Sequence, residues 1–382
     1  MITKLKEMTG KLVSKVFTLM FPIKKGKIVF TNFSGKRYGD SAALIAEELL
    51  SRKANYELVW LMLPGYKADI PKGIKRCSFS LLSRCYHLVT AHVWVDTHTK
   101  VHWTQKRDKQ FYINTWHAFL PLKKVEGDAQ ESLSLLYMKN VKSNSKLVDI
   151  YVSGNKFVTD LYRRAFFYTG KILEVGVPRT DVLYDEEKKI EIKNKVKKFY
   201  NIADKKIVLY APTFRADTTT DCYDLDFYIV LKALQAKFGG DWVFLIRLHP
   251  LLIKKANKFT YDDNIKNATD YDNMQELLVS ADVLITDYSS SSFEFALQNK
   301  PCFLYISDYE KYKNDRNLYF KFEELPFDTG KNNAEICEAI ENYSADKYLS
   351  KVNDFWKNIG CIDDGNSTKK ITDIIEEYIA AE

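Results

Sequence analysis

The chain is poor in the residues that mark disulfide-rich, proline-rich and membrane-spanning proteins. Its 382 residues include 6 cysteines and 9 prolines, and no apolar run approaches the ~20 residues that a membrane-spanning helix requires. The cysteines lack C-x-x-C spacing, so they are expected to be reduced core thiols. These absences exclude a disulfide scaffold and a low-complexity chain, and 46% hydrophobic residues indicate a globular protein.

Metal ligands and nucleic-acid-binding features are also sparse. Among the histidines and cysteines, one pair has ligand-like spacing, His98 and His102, and it flanks the end of a predicted strand, so no metal site and no cofactor are expected. The formal net charge is +7, but the basic excess is terminal. Because no basic stripe or recognised binding motif runs through the rest of the chain, no nucleic-acid partner is expected.

The basic excess belongs to a segment at residues 1–26 that is predicted to be an amphipathic helix. Residues 1–27 contain seven lysines and one acid, Glu7, which accounts for six of the seven net charges. The apolar residues that share one broad helical face are Leu5, Met8, Leu12, Val13, Val16, Leu19 and Met20. Lys4, Lys11 and Lys15 lie beside that face.

This pattern predicts a helix in the plane of an anionic membrane, peripheral on its cytoplasmic face. The apolar residues would enter the acyl boundary while the lysines meet the head groups. A signal peptide fits poorly, because the apolar run Val16–Ile23 is short and no small-residue cleavage site follows it. The alternative is a helix packed on the body of the protein or on a partner subunit.

Strand-like and helix-like patterns alternate from residue 27 onward and start again after a charged helix at residues 185–200. Such alternation is typical of doubly wound, mostly parallel sheets. The chain also exceeds the size at which one core usually stops growing. The sequence therefore predicts two Rossmann-like α/β domains, at residues 27–185 and 186–382, with the C-terminal helices in the second.

Polar residues lie where the predicted strands end. Lys36 follows the first strand and His117 follows a later one. In the second half Thr213 and Arg215 follow one strand and His249 follows the next. Ligands of open α/β sheets bind beyond the carboxyl ends of the strands. We therefore expect an active site in a central cleft that the two domains face.

Residues 283–297 combine a buried-strand pattern, a run of hydroxyls and a helical pattern. This order puts Ser289 to Ser292 at the N-terminus of a helix. There the backbone N–H groups without intrahelical partners and the positive end of the helix dipole favour a diphosphate. A single N-cap serine is the ordinary alternative, but one cap does not need four serines.

Eight short motifs occur in a characteristic order and spacing. They are Phe33-Ser-Gly-Lys, Thr115-Trp-His, Pro121-Leu-Lys-Lys, Gly176-Val-Pro-Arg-Thr-Asp, Tyr210-Ala-Pro-Thr-Phe-Arg, Arg247-Leu-His-Pro, Thr286-Asp-Tyr-Ser-Ser and Lys300-Pro. Together they resemble the CDP-glycerol glycerophosphotransferase family, the polyol-phosphate polymerases and primases of teichoic acid synthesis. The resemblance covers Lys27 to Ile375 and implies a two-domain GT-B architecture.

The activity that this resemblance implies is transfer of a polyol phosphate, with release of CMP. The donor would be CDP-glycerol, or CDP-ribitol as the alternative, and the acceptor a hydroxyl of an undecaprenyl-diphosphate-linked chain in teichoic acid or capsule synthesis. A GT-B glycosyltransferase that uses a nucleotide sugar would share the fold but would leave a nucleoside diphosphate. An inactive scaffold is the third alternative. The oligomeric state stays open.

The resemblance also implies roles for single residues. His117 would be the general base on the acceptor hydroxyl, since a histidine pKa of about 6.5 suits proton acceptance at cytoplasmic pH. His249 would hold the diphosphate and take part in catalysis. The other implied substrate contacts are Lys36, Arg179, Asp181, Thr213, Arg215, Thr286, Ser289, Ser290, Ser291, Glu294 and Arg316.

Two of these assignments have structural alternatives. Arg179 and Asp181 would form a structural pair near the crossing between the domains. Arg316 would brace Tyr312 and Tyr319.

Overall fold

The computed structural model describes residues 2–66, 68–215, 222–249, 252–253, 255–256, 259–315 and 317–382. The chain divides into two compact units. The first contains Met1–Phe119, Val125–Asp181 and Ile362–Glu382, and the second contains Leu120–Lys124 and Val182–Cys361.

The strands of the first unit are β1 (Lys27–Thr31), β2 (Glu57–Met62), β3 (Ile74–Ser78), β4 (Val93–Asp96), β5 (Phe111–Asn114), β6 (Ile150–Ser153) and β7 (Lys171–Glu174). Those of the second are β8 (Lys206–Ala211), β9 (Trp242–Ile246), β10 (Ile265–Asn267), β11 (Val283–Thr286), β12 (Cys302–Tyr305) and β13 (Asp328–Gly330).

The helices of the first unit are α1 (Ile2–Met20), α2 (Asp40–Ser51), α3 (Leu81–Thr90), α4 (Leu135–Leu147), α5 (Lys156–Arg164) and, at its C-terminal end, α13 (Ser367–Ala381). The second unit contains α6 (Glu186–Phe199), α7 (Phe227–Phe238), α8 (Met274–Ser280), α9 (Ser291–Ala296), α10 (Tyr309–Asp315), α11 (Asn333–Glu341) and α12 (Ala345–Ile359).

Each unit contains one parallel sheet, and the two sheets have the same topology. The first has the order β3-β2-β1-β4-β5-β6-β7, and the second has the order β10-β9-β8-β11-β12-β13. In each sheet the order reverses next to the first strand, between β1 and β4 and between β8 and β11. Such a switch point is where α/β sheets bind ligands, because the loops diverge there and leave a crevice. The predicted pair of doubly wound domains is confirmed.

The core of the first unit explains why the last helix belongs to it. Ile371, Ile375 and Ile379 recur at a spacing of four residues and are buried against the core of the first sheet beside α2. The sequence assigned residues 186–382 as a whole to the second domain, and for Ile362–Glu382 this was wrong. The periodicity of an amphipathic helix predicts a buried face but does not indicate which sheet will cover it.

The N-terminal helix α1 presents a packed face and an exposed face. On the packed face Ser14 donates a hydrogen bond to Cys85 of α3 (3.4 Å), and Phe17 lies edge-on to Tyr86. The helix therefore packs on the body, as the structural alternative predicted. The opposite face leaves large apolar side chains in solvent, namely Met8 (68% exposed), Leu12 (64%), Leu19 (88%) and Met20 (64%).

Among the described residues, no helix combines the length and apolar character needed to cross a membrane.

Candidate active site

The first switch point begins with a strained turn after β1. Phe33 and Ser34 have φ values of 44° and 54°, in the left-handed region that non-glycine residues rarely adopt. Gly35 follows at φ 83°, and a Cβ there would lie 2.8 Å from the ring of Phe79. The turn holds the Phe33 ring 4.4 Å from the ring of His98, centroid to centroid. Strain of this kind is maintained at sites where a side chain needs a fixed direction.

Two histidines stack beside this phenylalanine. His98 follows β4 and His117 follows the adjacent strand β5; their ring centroids are 4.3 Å apart and their planes differ by 18°. A second strained residue, Trp116 with φ 53°, directly precedes His117, and its N–H donates to the side-chain oxygen of Asn114 (2.8 Å). The neighbouring strands therefore bring the two imidazoles into one stack.

Hydrogen bonds indicate which nitrogen of each ring carries the proton. Nδ1 of His117 lies 3.2 Å from the carbonyl oxygen of Thr97, which only accepts, so this nitrogen is the donor. The Thr97 hydroxyl donates to Asn32 (2.7 Å), so it accepts from Nδ1 of His98 (2.9 Å). In the neutral form both rings then have a lone pair on Nε2. For His117, which is partly buried, that lone pair is a proton acceptor.

The environment makes His117 a weaker base than the sequence indicated. Burial, followed by the charges of His98 and Arg179, lowers the pKa of His117 to about 3, against a smaller opposing effect of its bond to Thr97. Burial also lowers the pKa of His98. The expected ordinary histidine pKa is therefore wrong. His117 is neutral at physiological pH, ready to accept a proton, but its protonated form needs a nearby negative charge.

Arg179 and Asp181 do not form the predicted structural pair. Arg179 donates to the backbone carbonyl of His117 (2.7 Å) and to the carboxylate of Asp40 (2.9 Å), so it fixes the loop that contains the histidine. Asp181 accepts the backbone N–H groups of Ser367 (3.1 Å) and Thr368 (2.7 Å). Asp181 thus caps the first turn of α13. Lys36 is exposed at the end of the strained turn after β1.

At the second switch point, Asp287 connects the loops after β8 and β11. One of its oxygens accepts the N–H of Thr213 (2.8 Å) and the N–H of Tyr288 (2.6 Å). The other accepts a bond from Arg215 (2.9 Å). Because Asp287 is buried, these bonds hold the two loops in one geometry.

Arg215 is fully engaged inside the protein. Its guanidinium pairs with Asp287 and with Asp308 (2.6 Å), and it lies over the rings of Tyr288 and Tyr312, 4.9 and 5.1 Å from their centroids. Burial alone would lower the pKa of Arg215, but the bonds to Asp308 and the charge of Asp287 outweigh it and raise that pKa. A guanidinium held by two carboxylates supports the loop and is not poised to bind a phosphate directly.

The serine run divides into an exposed part and a buried part. Ser289 and Ser290 are partly exposed, whereas Ser291 and Ser292 are buried. Ser289 and Ser291 share a hydrogen bond (2.7 Å), and the Ser292 hydroxyl donates to the Ser289 carbonyl (2.8 Å). Within the described part of the chain the Ser290 hydroxyl has no protein partner, so it is available to a ligand.

The remaining predicted contacts differ in accessibility. Thr286 is buried and donates its hydroxyl to the carbonyl of Ala211 (2.6 Å), and the buried Glu294 accepts from Gln275 (2.7 Å). Thr213 accepts from Arg215 (2.8 Å). His249 is exposed, with its ring 5.4 Å from that of Phe214. Arg316 lies outside the described residues, so the structure does not test its two alternatives.

A comparison with known protein families identifies the family of this chain. Residues 13–377 match the CDP-Glycerol:Poly(glycerophosphate) glycerophosphotransferase family. The chain belongs to this family. It thus combines the glycerophosphotransferase fold with a neutral histidine pair at one switch point and a braced serine turn at the other.

Similar members of the glycerophosphotransferase family include enzymes of teichoic acid synthesis. The teichoic acid poly(glycerol phosphate) polymerase of Bacillus subtilis is 28% identical over 98% of this chain and 52% of its own length. The teichoic acid glycerol-phosphate transferase of Staphylococcus aureus is 29% identical over 96% of this chain and 95% of its own length. The chain thus spans about half the length of the first of these relatives.

A solved family member has the same fold. The structure of the wall teichoic acid polymerase TagF with CDPG superposes with a TM-score of 0.85 at 26% identity, over 99% of this chain and 97% of that one.

Three residues of this candidate site were not identified from the sequence. His98 is absent from the predicted substrate contacts, although it follows β4 as His117 follows β5, and that parallel placement was the available signal. Asp287 lies inside the serine motif, in which ligand contacts were predicted for the hydroxyl groups and not for the carboxylate. Asp308 is 93 residues from Arg215, its partner, and no sequence pattern indicates that distant pairing.

Proposed function

We propose that this chain transfers a polyol phosphate from a CDP-polyol to a hydroxyl of a lipid-linked acceptor and releases CMP. Family membership and the similarity to TagF, whose structure was obtained with CDPG, support glycerol phosphate as the transferred unit. The observation that carries the proposal is His117. A neutral imidazole with its Nε2 lone pair, at the end of a strand, is what activation of a hydroxyl requires.

In the proposed reaction the acceptor oxygen forms a bond to the phosphorus of the polyol phosphate, and its proton passes to Nε2 of His117. The bond from that phosphorus to the bridging oxygen breaks, and CMP leaves with the electron pair. The low pKa of His117 makes imidazolium unfavourable in the free protein. The negative charge of the reacting phosphates would offset this cost, which couples proton transfer to the presence of the donor.

For the donor we propose contacts in the second unit. Thr213, Ser289, Ser290 and His249 are the predicted groups with exposed surface there, and the serine hydroxyls and the imidazole would meet the diphosphate. Arg215 would act through the turn that it fixes. Thr286 and Glu294, whose side chains bond within the protein, would support the same turn.

We also propose that the exposed face of α1 binds an anionic membrane at its cytoplasmic surface, where an undecaprenyl-diphosphate-linked acceptor would lie. Four large apolar side chains on this face remain in solvent, and Lys11 and Lys15 lie beside them. Apolar contact and attraction to anionic head groups reinforce one another at a bilayer surface. Because the other face of α1 packs on α3, deletion of the helix would damage the body, and substitution is the cleaner test.

The membrane test compares the parent with Leu12→Ser/Leu19→Ser. We expect at least about tenfold weaker binding to phosphatidylglycerol vesicles, because two exposed leucines lose their contact with the bilayer. The control Ile190→Ser/Ile229→Ser removes two exposed isoleucines from the second unit and should leave binding unchanged. Equal vesicle binding by the parent and the α1 variant would contradict the proposal.

The reaction is tested by product analysis. The purified chain is incubated with a short soluble glycerol phosphate acceptor and, separately, CDP-glycerol, CDP-ribitol or a UDP-sugar. Release of CMP from CDP-glycerol with extension of the acceptor is expected. Release of CMP from CDP-ribitol alone would identify CDP-ribitol as the donor. Release of UDP from the sugar donor would favour a glycosyltransferase. No product from any donor would favour an inactive scaffold.

A further inference from the structure

A cavity in the first unit lies at the loops that follow β1 and β4. Its volume is about 120 Å³, several times the ~10–15 Å³ needed to hold one water. Its polar lining includes Ser34, Arg84, Asp96, Lys100, Thr99 and Thr104. The cavity is therefore large enough for a small polar group and is open to one, because Ser34 is exposed.

The charges on its wall leave one cation without a counterion. Lys100 pairs with Asp96 (2.6 Å), and both side chains are buried, so their charges compensate. Within the described ranges no carboxylate lies within ion-pair distance of Arg84. The Arg84 guanidinium lies between two aromatic rings instead, 5.1 Å from Phe79 and 4.9 Å from Trp103.

Arg84 differs in this respect from two other arginines of the same unit, Arg52 and Arg179. Arg52 pairs with three carboxylates and Arg179 with Asp40. Burial lowers the pKa of Arg84, yet an arginine stays protonated in proteins. A desolvated guanidinium without a counterion attracts an anion, and its fork of N–H donors matches a phosphate.

Hydroxyl groups complete a phosphate site around this charge. Ser34, Thr99 and Thr104 line the cavity, and in the described part of the chain their hydroxyls make no hydrogen bond to protein. Leu61 and Leu88 form apolar wall next to them. One cation, three donors and a carbon surface suit a phosphate that is esterified to a short carbon chain, more than a bare ion.

The same two loops form the cavity wall and hold the histidine pair. Ser34 follows Phe33, whose ring contacts His98. Asp96, on the cavity wall, accepts the backbone N–H of His98 (3.0 Å). The cavity is thus linked to the proposed base through the loop after β1, since the Phe33 ring also lies 6.0 Å from the ring of His117.

We propose that this cavity binds the phosphate of the terminal polyol phosphate unit of the acceptor, so that the unit's hydroxyl is presented to His117. The assignment rests on the proposed function for the identity of the acceptor. It makes the cavity an acceptor-end subsite. It also means that an acceptor that already ends in a polyol phosphate is bound better than one that ends in an uncharged sugar.

The first test is direct binding of sn-glycerol 3-phosphate, with CMP at saturation to occupy the donor site. Arg84→Gln should raise the dissociation constant at least about tenfold. The dissociation constant of Arg84→Lys should lie between those of Arg84→Gln and the parent. Arg164→Gln, which removes one exposed arginine from the same unit, should bind as the parent does. Thr99→Val, which keeps shape and fold, should weaken binding about threefold. Unchanged affinity in both Arg84→Gln and Thr99→Val overturns the site.

Two competitors identify the source of the phosphate. Inorganic phosphate should displace sn-glycerol 3-phosphate only weakly. If inorganic phosphate bound as tightly as sn-glycerol 3-phosphate, recognition of the polyol would be overturned. Phosphatidylglycerol vesicles should not displace sn-glycerol 3-phosphate from the parent. Displacement would make a lipid head group the occupant and overturn the acceptor assignment.

The acceptor KM and the CDP-glycerol KM, measured during turnover, distinguish failure of this inference from failure of the proposed function. In the CMP-release assay Arg84→Gln should raise the acceptor KM at least about tenfold and leave the CDP-glycerol KM unchanged. If the parent releases CMP but this variant has the parent's acceptor KM, the subsite is wrong and the function stands. If the parent releases no CMP yet binds sn-glycerol 3-phosphate through Arg84, the function is wrong and the phosphate site stands.

Discussion

The two switch points have the same strand order but opposite electrostatics. At the first, the chain stacks three neutral rings, Phe33, His98 and His117, and lowers the pKa of both histidines. At the second, it buries a permanent charge, Arg215, between two carboxylates. Topology thus determines where a site forms, and side chains determine its chemistry. A proton acceptor must be neutral before it reacts, whereas a brace must keep its charge and its partners.

The largest effect should come from removing the proton acceptor. His117→Ala is expected to lower kcat about 10²–10⁴-fold, which is the usual contribution of general-base catalysis. Binding of CDP-glycerol should change little, because the proposed donor contacts lie in the second unit. Single-turnover kinetics and calorimetric titration give the two quantities. A kcat within about threefold of the parent, with the fold intact, would remove His117 from the mechanism.

Substitution at the second switch point should lower the stability of the fold. Arg215→Met leaves Asp287 and Asp308 without their shared counterion, and we expect a loss of about 3–5 kcal/mol in the free energy of unfolding. Asp308→Asn in the same chain should restore part of it. Urea unfolding measures both. The matched control Arg164→Met breaks an exposed pair with Asp128 and should cost less than about 1 kcal/mol. Equal costs for the two arginines would contradict the contrast between the sites.

Sequence reasoning predicted polar residues at both switch points because parallel strands place such residues at their carboxyl ends. His117, Thr213 and the serine run were found in this way, without knowledge of the strand order. The environment of these groups was not predictable, since it depends on residues that the fold brings together. The low pKa of His117 comes from burial and from His98. The pairing of Arg215 with Asp308 spans 93 residues.

Three strands of the structure, β3, β10 and β13, do not stand out in the alternating sequence pattern, for a similar reason. Strand β3 has mostly exposed side chains, and β10 and β13 have three residues each. Such segments lie at or near sheet edges and lack the long apolar pattern by which a buried strand is predicted.

A smaller effect should come from the second imidazole. His98→Phe preserves a ring in the stack but removes the bond to Thr97 and the positive charge that His98 takes up in acid. We expect about tenfold lower kcat with the donor KM unchanged. The acid limb of the pH–rate profile should move to higher pH, because the charge of His98 lowers the pKa of His117. His117 would then become protonated, and inactive, at a higher pH than in the parent. An unshifted acid limb would show that the stack serves packing alone.

The smallest effect should distinguish the exposed serine from the buried one. Ser290→Ala removes a hydroxyl that has no protein partner in the described part of the chain, so the fold should keep its stability. Its affinity for CDP-glycerol should fall about three- to tenfold, as loss of one ordinary hydrogen bond of about 0.5–1.5 kcal/mol predicts. Ser292→Ala is the matched control, because its buried hydroxyl donates to the Ser289 carbonyl. That control should lower the melting temperature with little change in affinity. The reverse pattern would mean that the diphosphate lies deeper in the turn than the exposed serines, and the same calorimetric titration would detect it.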